Sequence, residues 1–412
     1  MKEIPVINER EGSELKKAII SSLSAQGFSV RDGKILPPED LSKENLRKLH
    51  ATAVEHKISK AKGGLIQKEP YLLQHIASGH EIVPDKILPR IIEVTPGSEE
   101  ELLFRYTSLH WSIPVSSGYG RRLRFLVIDE HNNKLIGIIG LGDPVFSLKP
   151  RDKWVGWTIS DRKLRLKNVM DAFVLGAVPP YSFILCGKLV AMLVASDTVR
   201  HAFMRKYAGS RSVIQGDKHD GQLAMVTTVS ALGRSSIYNR LRLGDRLLYR
   251  SVGFTKGSGE FHFSNSLYGK ISEFVRRHCH PTAKQDQWGT GFRNRREIIR
   301  KCLSLLGLSR DWIYHGIQRE VFVVPLARNT REFLCGETSH LEWYHLSETD
   351  IYEFFRDRWM LPRLSWDKRL YSWSKEDWAI WVGKENGGVQ HIFRFSSNSN
   401  GQENGQEVCQ TW

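Results

Sequence analysis

Apolar residues fall into two rhythms along this 412-residue chain. The first is helical. Leu15, Ile19, Ile20 and Leu23 recur three to four residues apart, which predicts a helix, and Gly27 follows as its stop. Ser42, with Asn45 three residues on and then Leu46 and Leu49, predicts a second start. A third helix is predicted over Tyr71 to Ser78, closing near Gly79. Pro84, Pro89 and Pro96 then read as an extended linker. Residues 1–96 are therefore expected to form a helical region and linker.

The second rhythm is that of strands. The apolar run LRFLVI (123–128), the polar turn DEHNNK (129–134) and the apolar run LIGIIGL (135–141) predict a β-hairpin closed through Asn-Asn. Further strands are predicted at Trp154–Ile159, at Phe173–Val178 (ended by Pro179 and Pro180), at Leu223–Val229 and at Tyr249–Phe254. Between them Gly187–Tyr207 reads as one helix, with Leu189, Met192, Leu193 and Phe203 turned inward. A hairpin followed by strand–helix–strand predicts an α/β (α+β) core around a mixed sheet over 97–285. In 286–395 the helical period returns. Phe292–Leu306 is amphipathic, with Ile298, Ile299, Cys302, Leu303 and Leu306 as its buried stripe and Gly307 as its stop. Glu320–Pro325 is a short strand, and Ser347–Trp359 a helix opened by Ser347 and Asp350. From Ser396 to Trp412 the composition turns to Ser, Asn, Gln and Gly, and a disordered tail is expected.

Charge changes the picture. The chain carries 60 Lys and Arg against 45 Asp and Glu, a formal balance of +15. Such a surplus favours a polyanionic partner, nucleic acid first, with an anionic membrane surface or simple solubility as the alternatives. The hydrophobic fraction of 41% is ordinary for a globular chain and excludes wholesale disorder. No apolar run reaches the length of a membrane span. Five scattered cysteines and no apolar leader predict reduced thiols and a cytoplasmic location.

The surplus is concentrated. Residues 234–310 hold 16 Lys and Arg against 5 Asp and Glu, a local balance of +11, interleaved with Tyr238, Tyr249, Phe254, Phe261, Phe263, Trp288 and Phe292. Cations there could neutralise phosphates while flat rings stack on exposed bases. Arg293, Arg296 and Arg300 share one face of the amphipathic helix opposite its apolar stripe, where the alternative is a solvated helix face. GYGRRLR (118–124) contributes Arg121 and Arg122 before the hairpin. GRSSIYNRLR (233–242) contributes Arg234, Tyr238, Arg240 and Arg242, and reads as a strand end passing into a helix start. Free backbone N–H groups there, with the hydroxyls of Ser235 and Ser236, would suit a phosphate.

Seven stretches carry a family resemblance: GYGRRLRFLV (118–127), LIGIIGLGDPVF (135–146), RDKWVGW (151–157), DAFVLGAVPPY (171–181), TTVSALGRSSIYNRL (227–241), VGFTKGSGEFHF (252–263) and RWMLPR (358–363). Through them the chain resembles, from about Leu41 to Pro362, the DUF4338 family, the DruA-like proteins of Druantia anti-phage defence systems. The resemblance implies a defence role beside a large helicase-like partner, and no particular chemistry. A looser resemblance is to the GNAT acyltransferase fold, through the order of hairpin, strand–loop–helix and the later Val252-Gly253-Phe254. The expected architecture is thus a GNAT-like core between two helical regions. In the loop Ile184–Leu189 only Gly187 matches the GNAT pyrophosphate motif, and Leu189 adds bulk where that motif keeps a small residue.

Candidate chemistry is thinner. Asp143, with Asp161-Arg162-Lys163, loosely resembles the carboxylates and lysine of a metal-dependent nuclease, although Asp143-Pro144 also reads as a turn. Asp152 and Asp171 lie in the same region. His278-Cys279-His280 with Cys302 offers soft metal ligands paired at one end only. Cys186 with His201 or His262 is a conceivable nucleophile and base, and a core thiol is the alternative. Trp154 and Trp157 read as packing residues, with a stacking role as the alternative. The sequence reading is of a protein that binds DNA, directs the helicase, and needs no cofactor or metal. A GNAT-fold enzyme or nuclease is the alternative.

Overall fold

The computed structural model describes residues 8–116, 120–211, 216, 218–263, 266–281, 288 and 292–382. The expected tail at 396–412 lies outside these residues. The chain forms two compact units. One comprises Met1–Lys57 with Thr255–Arg319, and the other Ile58–Phe254 with Glu320–Trp412. The chain leaves the larger unit after Phe254 and re-enters it at Glu320.

The larger unit is built on a seven-stranded sheet: β1 (Pro89–Glu93), β2 (Arg122–Asp129), β3 (Lys134–Gly142), β4 (Val169–Ala177), β5 (Met225–Val229), β6 (Arg250–Phe254) and β7 (Glu320–Pro325). Their spatial order is β1-β2-β3-β4-β5-β7-β6. Every pair is antiparallel except β4 with β5. The α/β class with a mixed sheet is therefore observed. The hairpin forms where its pattern places it, with Asn133 in the left-handed region at φ +56°. The supposed linker contains β1, an edge strand whose proline stands at its first residue, where a missing N–H does least harm.

Alternate residues of the central strands serve opposite faces. Met170, Val226, Phe322 and Val324 face a core shared with Leu189, Val190, Phe203, Ile351 and Phe355. Val169, Met225 and Val323 face a second core with Val155, Trp157, Phe333 and Leu334. Gly137 on β3 is required by this packing. A Cβ there would sit 2.3 Å from the Gly176 carbonyl and 2.7 Å from Val190.

Several sequence expectations fail locally, and the helix expected over Tyr71–Ser78 is a short α-helix, Glu69–Leu72, followed by a 3-10 turn, Leu73–His75. The strand expected at Trp154–Ile159 is instead two short helices, Lys149–Val155 and Ile159–Arg165. Gly156 ends the first at φ +95°, and Thr158 with Asp161 forms a capping box that opens the second. The single helix expected over 187–207 is two, Cys186–Leu193 and Asp197–Tyr207, because Ser196 caps the second.

Each unit buries a polar centre. In the larger unit Glu69 is fully buried. Its carboxylate accepts from the Tyr106 hydroxyl at 2.8 Å and from three consecutive backbone N–H groups, those of Ile380, Trp381 and Val382, at 2.6, 2.9 and 2.6 Å. Nearby His110 stacks on Trp378 with ring centres 3.7 Å apart.

In the smaller unit three histidines are buried around Phe261. The Arg319 guanidinium donates to His50 Nε2 at 3.2 Å, so that nitrogen accepts and the proton sits on Nδ1, which is buried without a partner among the described residues. His262 Nε2 donates to the Trp312 carbonyl at 2.9 Å, and His315 Nδ1 accepts from Ile317 N–H at 3.1 Å. Burial, reinforced by Arg319 beside it, pushes His50 down to about 3. Burial likewise takes His262 to about 4 and, with its cationic neighbours, His315 to about 3.

Candidate nucleic-acid interface

The segment 230–248 follows β5. No helix starts at Gly233; the chain runs through bends and turns into a two-stranded ribbon, Arg242–Leu243 with Arg246–Leu247. The reason is local. Gly233 lies at φ +72° and Arg240 at φ +65°, neither compatible with a right-handed helix. The backbone N–H of Ser235, expected to be free for a phosphate, donates instead to the Glu320 carboxylate at 3.3 Å, and Ser251 Oγ donates to the same carboxylate at 2.7 Å. The protein supplies its own anion at this position. Ser235 Oγ accepts from Tyr238 N–H at 3.0 Å.

These bonds pin the loop from inside. Tyr238 stacks on Tyr249 with ring centres 4.7 Å apart, nearly parallel, and meets Phe322 edge-on. Burial raises its hydroxyl to about 12. Leu241 and Leu248 are fully buried and hydrogen-bonded to one another. Tyr238, expected as a stacking residue, is thus spent on packing. Arg234, Arg240 and Arg242 are exposed. Arg234 lies 5.9 Å from the Phe254 ring centre, and Arg242 donates to the Asp245 carbonyl at 2.8 Å. Among the described residues none of the three forms an ion pair with a carboxylate. Arg240 is a bulky residue held in the left-handed region, and such strain of about 1–2 kcal/mol concentrates at functional sites.

The other expected positions have different surroundings. Arg121 is engaged within the fold. It pairs with Asp143 at 2.6 Å, donates to the carbonyls of Val169 and Lys167, and lies 5.5 Å from the Phe203 ring centre. Arg122 is exposed, and its backbone exchanges hydrogen bonds with the Tyr207 hydroxyl at 2.8 and 2.9 Å. In the smaller unit the helix Phe292–Leu305 buries Ile298, Ile299, Cys302 and Leu303 as its period requires. Arg296 is half-buried and pairs with the buried Glu260 at 2.6 Å. Burial raises that carboxyl while Arg296 opposes the rise. Arg300 is half-buried, with its Nε unpartnered among the described residues. The side chain of Arg293 lies outside the described residues.

The carboxylates considered for nuclease chemistry are not gathered. Asp143 serves Arg121, Asp152 serves Arg151 and Arg162 at 2.6 and 2.7 Å, and Asp161 caps Thr158. Asp171 is half-buried, pushed up to about 6 by its desolvation, and accepts from Thr227 Oγ1 at 2.7 Å. Among the described residues no three His, Cys, Asp or Glu side chains form a group that could hold a metal ion. His278, next to Cys279, approaches Glu11 at 3.7 Å. Cys186 is fully buried and its thiol is pushed up by that burial, as befits a core residue. Ile184, Cys186 and Leu189 of the loop compared with the pyrophosphate motif are all fully buried. Trp157 packs in the second core and donates to the Leu334 carbonyl at 2.7 Å.

The fold and this surface define an α/β protein with a strongly basic exterior and a pinned arginine loop. Comparison with known proteins gives the family. The model of the Druantia protein DruA family matches residues 40–336. A Druantia protein DruA of Escherichia coli (strain UMEA 4076-1) is 39% identical over 372 residues, covering 90% of this chain and 92% of that protein. The chain belongs to the Druantia DruA family, which makes it a component of a Druantia anti-phage defence system. No solved structure matches it. Among the described residues no helix is long and apolar enough to cross a membrane.

Proposed function

We propose that this chain is the nucleic-acid-binding component of its Druantia system, acting in the cytoplasm to recognise phage DNA and to direct a helicase partner. The observation that carries the reading is the loop 230–248, pinned inward by Tyr238, Leu241 and Glu320 and presenting Arg234, Arg240 and Arg242 outward. A loop held in this way loses little freedom when it meets a phosphate backbone, and each arginine that neutralises a phosphate releases counterions. Arg122 in this unit and Arg300 in the other are assigned to DNA contact as well, and Arg293 is assigned on its charge in the sequence alone. Arg296 is the weakest member, since it already neutralises Glu260.

Changing Arg234, Arg240 and Arg242 together to Glu is expected to weaken DNA binding and to reduce the salt slope by roughly three. Fluorescence anisotropy across a salt series checks this, and an unchanged slope would remove the loop from the interface. A companion variant separates binding from stability. Arg240→Gly is expected to melt no lower than wild type, because glycine occupies the left-handed region without strain, yet to bind DNA more weakly.

A second reading keeps a specific observation in its favour. The order of the sheet, with an antiparallel hairpin, a single parallel pair β4–β5 and two helices between those strands, supports a GNAT-like frame. Frame is no warrant for acyl transfer. Calorimetric titration with coenzyme A tests it: saturable binding would revive an enzyme.

A further inference from the structure

Residues 356–371 lie outside both the loop 230–248 and the basic helix Phe292–Leu305. The segment begins with a π-helical turn, Arg356–Met360, continues through the short helix Leu361–Leu364, and ends in Arg369–Ser372. It carries five cations, Arg356, Arg358, Arg363, Lys368 and Arg369, against Asp357 and Asp367. Its centre is rigid. Arg363 is buried, pairs with the buried Asp367 at 2.6 Å and donates to the Phe183 carbonyl at 3.1 Å. Asp367 also holds Arg369 at 2.7 Å, and Arg369 lies 5.1 Å from the Phe183 ring centre.

Two large aromatic rings project from this rigid base. Trp366 is 63% exposed and Tyr371 53% exposed. The Arg363 guanidinium lies 3.9 Å from the Trp366 ring centre and Lys368 Nζ 5.9 Å from that of Tyr371. Single exposed apolar side chains are commonplace. Two rings five residues apart, each beside a cation and one fixed from beneath by a buried ion pair, are a different arrangement. A ring backed by a guanidinium is oriented before any ligand arrives, so stacking on its outer face costs little side-chain entropy.

We propose that Trp366 and Tyr371 form a stacking platform for unpaired bases of single-stranded nucleic acid, with Arg358 and Lys368 as the cations for the phosphates. Base faces are accessible only where strands are unpaired, since a duplex covers them. Aromatic stacking is indifferent to sequence because every base has a π-face. The platform rests on the nucleic-acid reading above and adds to it a preference for unpaired strands, the form a helicase partner generates.

The test compares the full-length protein with Trp366→Ala, Tyr371→Ala, the double variant and Trp366→Phe. The probes are a labelled oligo-dT and a labelled blunt duplex, titrated at several salt concentrations. Each alanine is expected to weaken oligo-dT binding roughly tenfold while leaving the salt slope unchanged, because stacking releases no counterions. Duplex affinity and melting temperature should stay at the wild-type values, and Trp366→Phe should retain most of the binding. Oligo-dT affinity unchanged in the double variant would overturn the platform, as would an equal loss on both probes. If wild type binds neither probe, the nucleic-acid reading fails as well; if wild type binds both and only the alanine effect is missing, the platform alone fails.

Discussion

Glu69→Ala is expected to release the chain around residues 378–382 and to cost the larger unit about 3–4 kcal/mol. The carboxylate accepts three consecutive backbone N–H groups and a buried tyrosine hydroxyl, and removing it leaves the three backbone donors without an acceptor at once, while the Tyr106 hydroxyl keeps only the Trp378 carbonyl at 3.3 Å. Hydrogen bonds to a charged group contribute about 1.5–3 kcal/mol each, and water reaching the half-exposed 380–382 backbone recovers part of the loss. The remainder is a large share of a domain's stability of about 5–15 kcal/mol. Glu69→Gln, which keeps one acceptor oxygen, should lose about half as much. Thermal melts and limited proteolysis check this, with early cleavage near Trp381 in the alanine variant as the signature. A variant that melts with wild type would show that the C-terminal segment is held by its tryptophans alone, through His110 and Tyr106.

The second large effect is acid lability of the smaller unit. His50, His262 and His315 are held neutral in the fold down to about 3, about 4 and about 3, whereas the unfolded chain protonates them near the ordinary histidine value of about 6.5. Below that value the unfolded state binds more protons, so stability is fully present above pH of about 6.5 and is lost as pH falls toward about 4. Each imidazole contributes about 1.4 kcal/mol per pH unit, so three together should remove several kcal/mol by pH of about 5. Arg319 beside His50 adds to the effect, because it repels a proton there. Urea unfolding followed between pH of about 7.5 and about 5 measures the loss. His315→Asn should be less stable at neutral pH but show a shallower acid dependence. An acid slope identical to wild type would mean that this histidine does not titrate on unfolding.

Much of the larger unit was legible because its signals are local. The hairpin needs only an alternation of apolar residues and an Asn-Asn turn, and β2 and β3 form there. The misread stretch was also local. The β-favouring Trp154, Val155 and Trp157 outweighed, in a reading by residue type, a glycine stop and a Thr158–Asp161 cap that the backbone obeys. A proline hid β1, although an edge strand tolerates proline at its first position.

The candidate site was legible in composition and not in geometry. Charge is a property of residue counts, so the total of +15 and the +11 within 234–310 follow from the sequence alone. Which cations face outward does not, because that depends on partners distant in the chain. Asp143 takes up Arg121, Glu260 takes up Arg296, and Glu320 occupies the backbone position where a phosphate was expected. The division between units also splits the basic segment at Thr255, which no linear count reveals. Trp366, between Ser365 and Asp367, and Tyr371, between Leu370 and Ser372, stand in no motif or spacing that marks them in the sequence. Their exposure is decided by a buried Arg363–Asp367 pair that fixes the short helices beneath them. Sequence by itself determined the class of fold, the family and the sign of the surface. Tertiary structure decided which arginines and rings remain for a ligand, since burial and ion pairing between remote residues consume the others.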